Sequence, residues 1–186
     1  MKKKLFLLVI FVIFILSACS GTKKKALAPN DIPDELVAVL PSGDELYIYM
    51  TRDSAEELIS GQGAQDSFGL VNYENINLQV GYIDDKLVYM GWGDDSKIYL
   101  KSGISGDTKF NELDLDFETS GGEKVQHAIK RFKYEAEKKI IETKVNESNG
   151  ILPFEYINVV VDFYDNELSK TSVFDVYAGM NVNFDK

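Results

Sequence analysis

The sequence predicts an α+β fold, in which an antiparallel sheet is packed by one long and one short helix. Short segments rich in Val, Ile, Tyr and Phe alternate with polar positions and are separated by Gly, Pro and Asp turns, as in antiparallel strands. Apolar residues also recur at helical spacing between residues 123 and 145. A hydrophobic content of 45% in 186 residues is enough for a folded core, so disorder of the whole chain is excluded.

The predicted strands are joined by polar turns. They cover residues 36–40, 45–50, 76–82, 87–90, 97–101, 113–118, 154–164 and 172–177. Asp84 and Asp85 form the predicted turn between two of these strands, because small polar residues favour turns. A short helix is predicted after residue 52, with Asp53 as its N-cap, Glu56 three residues later and Gly61 as its end.

The long helix is predicted over residues 123–145. Val125, Ile129 and Phe132 begin a row of apolar residues at helical spacing that continues to residue 140. Lys and Glu residues occupy the opposite face, and Asn149-Gly150 is the predicted stop.

Residues 73–87 resemble residues 154–168 when the two segments are aligned at an offset of 81 without a gap. Glu, Ile, Asn, Val, Asp and Leu coincide, and aromatic residues coincide at two further positions. Because each copy follows a predicted helix, the repeat indicates two fused αββ modules, 34–104 and 105–186. Two unrelated amphipathic hairpins would also look alike, so a single α+β domain over 34–186 is the other interpretation.

The segment MTRDSAEELISG at residues 50–61, followed by YIDDKLV at 82–88, carries a helix start, a glycine, a strand, a charged turn and a second strand. Over residues 50–101 this run resembles the tandem β-lactamase-inhibitor-protein family and the outer-membrane-assembly lipoprotein family. The proline that usually follows the helix glycine is absent here. The resemblance implies small secreted αββ modules of a kind that bind another protein.

The N-terminus has the pattern of a secretory signal. Three lysines precede an apolar run over residues 5–16, which is shorter than the roughly 20 residues of a membrane-spanning helix. The run ends in Leu16-Ser17-Ala18-Cys19, which resembles the lipobox of bacterial lipoproteins. The resemblance implies cleavage between Ala18 and Cys19 and a diacylglycerol group with acyl chains on the Cys19 thiol, a lipid anchor that would hold the protein on the outer face of the cell membrane.

These signals divide the chain into a signal peptide over 1–18, a flexible tether over 19–33 and the folded part over 34–186. The net charge of the whole chain is −10, but six of its 20 basic residues are the lysines at 2–4 and 23–25. Without those six lysines, the chain has 14 basic residues against 30 acidic ones, a net charge of −16. This charge argues against nucleic-acid binding and favours a basic protein partner. The preference for Lys over Arg is typical of low-GC Gram-positive bacteria.

Neither a catalytic motif nor a metal-binding motif is recognisable. No nucleophile elbow, phosphate-binding loop or zinc-protease helix occurs, and one His and one Cys exclude polyhistidine and thiolate metal clusters. The acidic pairs stand at turns, where solubility places them, rather than in the arrangement of a glycosidase. We therefore expect no enzymatic activity, no catalytic residues, no metal and no cofactor beyond the lipid on Cys19.

The aromatic residues indicate a binding surface. Trp92 lies between two glycines and is the predicted exposed anchor, surrounded by acidic and aromatic neighbours. The full predicted partner-binding set is Asp84, Asp85, Tyr89, Trp92, Asp94 and Asp95. We expect a non-enzymatic protein-binding module, such as an immunity protein or an inhibitor of a cationic toxin or lytic enzyme.

Two other functions remain open. One is a structural subunit of an envelope, secretion or conjugation complex, in which the acidic face only confers solubility. The other is the binding of a small solute or cell-wall fragment in a groove beside the long helix. A pocket with convergent polar groups would favour this last function, and a flat exposed aromatic patch would favour the protein-binding functions.

The lipid anchor predicts the behaviour of a Cys19→Ala variant. Because the thiol is the site of acylation, the variant should not incorporate a labelled fatty acid and should be released into the medium. Fractionation of cells that express the two forms measures this. Retention of a lipid-free variant in the membrane fraction would contradict the anchor.

Overall fold

The computed structural model describes residues 25–93, 95–113, 116–122, 124–135, 139–142, 156–164, 167–168 and 174–178. Within these residues there is one α-helix, α1 (Arg52–Leu58). The strands are β1 (Val37–Val39), β2 (Glu45–Tyr47), β3 (Ala64–Gln65), β4 (Val71–Tyr73), β5 (Leu78–Ile83), β6 (Lys86–Trp92), β7 (Tyr99–Leu100), β8 (Glu118–Gly121), β9 (Val125–Glu135), β10 (Lys139–Glu142), β11 (Tyr156–Tyr164), β12 (Glu167–Leu168) and β13 (Phe174–Ala178). Short 3₁₀ turns cover Asp34–Leu36, Glu74–Ile76 and Phe110–Glu112.

The described strands form two antiparallel sheets. The small sheet has the order β2-β1-β7. The large sheet has the order β10-β9-β11-β13-β6-β5-β4-β3, with β8 also paired to β9 and β12 also paired to β11. This arrangement of antiparallel sheets with one helix confirms the coarse prediction of a small α+β fold.

The predicted long helix is wrong wherever the structure describes it. Residues Val125–Glu135 form β9 and Lys139–Glu142 form β10, and the two strands pair as an antiparallel hairpin. β9 pairs on its other side with β11 and with β8. The remaining residues of the predicted helix, 123, 136–138 and 143–145, lie outside the described residues.

A buried lysine on β9 explains why the apolar spacing predicted a helix instead of this strand. Ala128, Lys130 and Phe132 lie two residues apart on β9, and all three are buried. They register opposite the buried residues Val161, Val159 and Ile157 of β11. A lysine in the middle of the row hides the two-residue period of a strand, so the apolar residues match a helical period instead.

Local turn chemistry is predicted correctly in the β5–β6 hairpin. Ile83 pairs with Lys86, so Asp84 and Asp85 are the two loop residues, and their φ angles are 48° and 57°. Positive φ at both loop positions matches the right-handed twist of the flanking strands. The β1–β2 hairpin is also confirmed, since Val37 pairs with Tyr47.

Two other local predictions are wrong in detail. The N-cap of α1 is Thr51 rather than Asp53, because the Thr51 hydroxyl accepts a hydrogen bond from the Ser54 backbone N–H at 3.4 Å. In the described part of the strand predicted over 113–118, only Glu118 lies in a strand, because β8 begins there.

The β5–β6 and β11–β12 hairpins, which the internal similarity relates, have the same strand register. Tyr82 pairs with Leu87 in the first hairpin, and Phe163 pairs with Leu168 in the second, which is the same pair at the offset of 81. The elements before these hairpins differ, because the strand β9 stands where the second helix was predicted. The similarity is therefore seen in the hairpins and does not extend to two αββ modules.

Among the described residues, one buried apolar cluster contains side chains from both sheets. The small sheet contributes apolar residues such as Ala38 and Leu46, and the large sheet contributes residues such as Met90, Trp92 and Val159. Removal of this apolar surface from water is the main driving force for packing the sheets together.

The later part of the predicted tether belongs to the folded domain. The Glu45 backbone N–H donates to the Ala26 carbonyl oxygen at 3.0 Å, and the Ala28 backbone N–H donates to Glu45 Oε2 at 2.7 Å. The Ala26 backbone N–H in turn donates to Asp44 Oδ1 at 3.0 Å. A flexible tether that extends to residue 33 is therefore wrong from Ala26 onwards.

The β5–β6 turn predicts different effects of two substitutions at Asp85. Glycine adopts the positive φ of 57° without a steric penalty but gives the unfolded chain more freedom, so Asp85→Gly should stay within about 0.5 kcal/mol of the wild type in its free energy of unfolding. Asp85→Ala also removes the carboxylate but keeps a Cβ, so it should be less stable than the glycine variant by about 1 kcal/mol. Urea denaturation measures both, and equal stabilities of the two variants would contradict the turn conformation.

Candidate functional site

Trp92 is not the exposed anchor that the sequence predicts. Its side chain is 2% exposed, and it registers opposite Leu78 of β5 on one side and Phe174 of β13 on the other. The flanking glycines suggest an exposed loop, but Gly91 lies inside β6 between two partner strands. The prediction that Trp92 is exposed is therefore wrong.

The acidic residues of the predicted set lie at opposite ends of β6. Asp84 and Asp85 are exposed at the turn before β6, whereas Asp95 is exposed just after it. A strand of seven residues separates the two ends by about 20 Å. Asp94 lies outside the described residues, and Tyr89 is half-buried in the middle of β6.

The β5–β6 turn joins helix α1 to form one acidic surface. The Arg52 backbone N–H donates to the Asp85 carbonyl oxygen at 2.9 Å, and Thr51 forms an isolated antiparallel bridge with Lys86. We define the acidic ridge as five exposed carboxylates: Asp53, Glu56, Glu57, Asp84 and Asp85.

The basic residues at the ridge only partly offset its charge. Arg52 and Lys86 are the two cations of α1 and the turn, which leaves a net charge of −3 for this surface. The Arg52 Nε donates to Glu56 Oε1 at 2.8 Å, and its guanidinium lies 5.0 Å from the centroid of the Tyr82 ring. The hydrogen bond to Glu56 raises the pKa of Arg52. Arg52 is thus paired with Glu56 inside the ridge, and the net charge of the surface stays negative.

The Tyr82 side chain is buried beneath the ridge, with the Arg52 guanidinium over its ring. Its hydroxyl has no hydrogen-bond partner among the described residues. Burial raises the pKa of Tyr82 above its usual value of 10.0, and the neighbouring Tyr73 and Glu56 add to this rise, while Arg52 opposes it. Tyr73 behaves similarly, because burial also raises its pKa.

A cleft of about 230 Å³ opens at the other end of the β5–β6 hairpin. We call it the amide cleft, because its polar wall consists of Asn72, Asn77, Gln79 and Glu74. The wall also includes Tyr73, Leu78, Gly91, Trp92 and Gly93. Trp92 therefore borders a concave site, although it is not exposed as an anchor.

A second cavity of about 350 Å³ lies between β9 and the loops that flank the small sheet. Its lining includes the buried Lys130, whose Nζ donates to Glu35 Oε1 at 2.9 Å. The Lys130 ammonium also lies 5.9 Å from the centroids of the Phe117 and Phe132 rings. This cavity adjoins the strand that replaces the predicted long helix, where the sequence placed a groove for a small ligand.

The sequence missed a histidine–carboxylate pair on the outer face of the large sheet. His127 Nδ1 lies 2.6 Å from Asp162 Oδ1, and both side chains are partly exposed. Ser120 of β8 registers opposite His127, but no hydrogen bond between described side chains joins the two, and neither cavity includes them. The pair joins residues 35 positions apart, and only the β9–β11 pairing could have indicated it.

Comparisons with known proteins give no match. No protein-family model matches the chain, and neither a curated protein nor a solved structure does so. Among the described residues, no helix is long and apolar enough to cross a membrane. The described part of the chain also contains no cluster of three or more His, Cys, Asp or Glu side chains suited to a metal ion.

Tyr82 predicts the alkaline limit of stability. The folded state holds the Tyr82 proton more tightly than the unfolded chain, so this contribution is complete below about pH 10 and is lost as the pH rises above that value. Tyr82→Phe should therefore lose less stability than the wild type between about pH 9 and pH 11. At neutral pH it should be at least as stable, because it removes a buried hydroxyl that has no partner among the described residues.

Thermal unfolding across this pH range measures the effect, with Tyr99→Phe as the control. Tyr99 is 41% exposed, so its variant should follow the wild-type profile. A Tyr82→Phe profile that matches the wild type would show that the buried hydroxyl does not titrate with unfolding.

Proposed function

We propose that the chain is a lipoprotein anchored through Cys19 to the outer face of the cell membrane, with a folded domain that acts as a non-enzymatic protein-binding module. The observation that supports a binding role is the acidic ridge, where α1 and the β5–β6 turn present five exposed carboxylates together. We further propose that the partner is a cationic toxin or lytic enzyme, which the domain neutralises as an immunity protein or inhibitor.

The charge of the ridge suits this partner. Complementary charge accelerates the encounter of two proteins and aligns them, and its effect decreases as salt screens it. Asp84 and Asp85 stand at the tip of a tight turn, so a partner can approach their carboxylates without contacting the strands. In this proposal the ridge replaces Trp92 as the centre of the contact surface.

The binding of a small solute is the second candidate function. The amide cleft favours it, because convergent polar side chains line a concave site there. The ridge and the cleft lie about 20 Å apart along β6, so variants at one need not disturb the other.

The ridge predicts a specific effect of neutralising the turn. Asp84→Asn with Asp85→Asn removes two charges, and asparagine tolerates positive φ, so the hairpin should be retained. At low salt, the double variant of the acyl-free domain should bind a purified cationic lysozyme about three- to tenfold more weakly, mainly through a slower association rate. Surface plasmon resonance at increasing salt measures both the affinity and its salt dependence.

The matched control is Asp107→Asn with Asp116→Asn, which removes the same charge from two exposed positions outside the ridge. Its binding should stay near that of the wild type. Equal weakening by both variants would show that net charge, rather than the ridge, attracts the partner. If no cationic lytic enzyme binds in a salt-sensitive manner, the inhibitor role is wrong, and an acidic face that only confers solubility explains the charge.

A further inference from the structure

The amide cleft combines side chains that are already positioned by one another. Gln79 Nε2 donates to Asn72 Oδ1 at 2.5 Å across the β4–β5 pair, and Asn77 Nδ2 donates to Asp95 Oδ1. Asn77 holds a left-handed φ of 49°, a conformation that asparagine tolerates better than most residues. The wall of the cleft is therefore organised before any ligand arrives, which reduces the entropy lost on binding.

The cleft also retains hydrogen-bonding capacity. Each carboxamide has one acceptor oxygen and an amino group with two donor hydrogens. In the contacts above, Gln79 and Asn77 each use only the amino group. Gln79 Oε1 and Asn77 Oδ1 accept no hydrogen bond from described residues, and Glu74 is exposed at the same wall. Groups that both donate and accept match hydroxyl groups, which do the same.

Charge and size narrow the ligand class. Among the described residues, no lysine or arginine lines the cleft, and Glu74 lines it with Asp95 at its edge, so an anionic ligand would meet carboxylates and amides there. The volume of about 230 Å³ lies below the 300 Å³ at which pockets for drug-sized ligands begin. It therefore suits one ring rather than an extended chain.

From this geometry we propose that the amide cleft binds a neutral polyhydroxylated ring, such as a single hexose or N-acetylhexosamine unit. Gln79 and Asn77 would hydrogen-bond the ring hydroxyls, and Gly91 would leave the ring close to the backbone of β6. The ligand is either a free sugar or the end of a cell-wall glycan, which share this chemistry. The proposal stands independently of the acidic ridge.

The single tryptophan of the chain makes this site directly observable. Trp92 borders the cleft, so a bound ring should change its fluorescence and shift its indole N–H signal in NMR spectra. The acyl-free domain is titrated with glucose, N-acetylglucosamine and soluble cell-wall glycan fragments, and with glucuronate and glucosamine as charged counterparts. Saturation-transfer NMR of the sugars detects binding even if the tryptophan signal stays constant.

Neutral rings should bind, whereas glucuronate should bind at least about tenfold more weakly than glucose because of the carboxylates at the cleft. Tighter binding of the glycan fragments than of free sugars would identify the cell wall as the source, and equal binding would identify the free sugar. Absence of saturation transfer for every neutral sugar at millimolar concentration, or equal binding of glucuronate, would overturn the proposal.

Variants separate the cleft from the rest of the surface. Gln79→Leu keeps the shape of the side chain but removes its hydrogen bonds, so the dissociation constant should rise about five- to tenfold. Gln62→Leu makes the same change at an exposed loop position and should bind as the wild type does. Asn77→Gly preserves the left-handed backbone and should also weaken binding.

Thermal unfolding confirms that each variant is folded. The Asp84→Asn/Asp85→Asn protein should retain sugar binding, so failure at the cleft and failure at the ridge remain distinguishable. Unchanged sugar affinity in both Gln79→Leu and Asn77→Gly would show that the sugar binds elsewhere.

Discussion

The ion pair between Lys130 and Glu35 joins the large sheet to the turn that precedes the small sheet, and it balances a charge in the buried interior. Lys130 stands in the inward-facing row of β9 and is 7% exposed, where an uncompensated charge would cost several kcal/mol. Glu35, in the turn before β1, supplies the compensating carboxylate at 2.9 Å. The Phe117 and Phe132 rings also lie near the ammonium group. The turn before β1 must therefore lie where the Glu35 carboxylate reaches Lys130 of β9, next to the second cavity.

The sequence predicts best what is determined by neighbouring residues. The β5–β6 hairpin is correct because a polar pair between alternating strands specifies its own turn, and α1 is correct to within its cap. The β9 strand is not predicted, because its inward lysine pairs with Glu35, which lies 95 residues away in the sequence. Tertiary pairing overrides the local helical pattern there.

The candidate sites show the same division. Asp84 and Asp85 are exposed as expected, since a tight turn places its loop residues in water. The burial of Trp92 depends on β13, a strand more than 80 positions later in the chain, and no local pattern indicates that partner. The amide cleft likewise arises from β4, β5 and β6 together, so its asparagines and glutamine look like ordinary polar strand and turn residues in the sequence. Sites built from several strands appear only when the sheet is assembled.

The hydrogen bonds at Ala26 have a consequence for the distance over which the domain can act. With Cys19 lipidated, as proposed, only seven residues connect the lipid to the first backbone group held by the small sheet. Fully extended, this segment spans at most about 25 Å, which is comparable to the width of the domain itself. The lipid anchor would then keep the domain within about 25 Å of the bilayer surface. Any partner it captures must come to the membrane surface, because the domain cannot reach out to meet it.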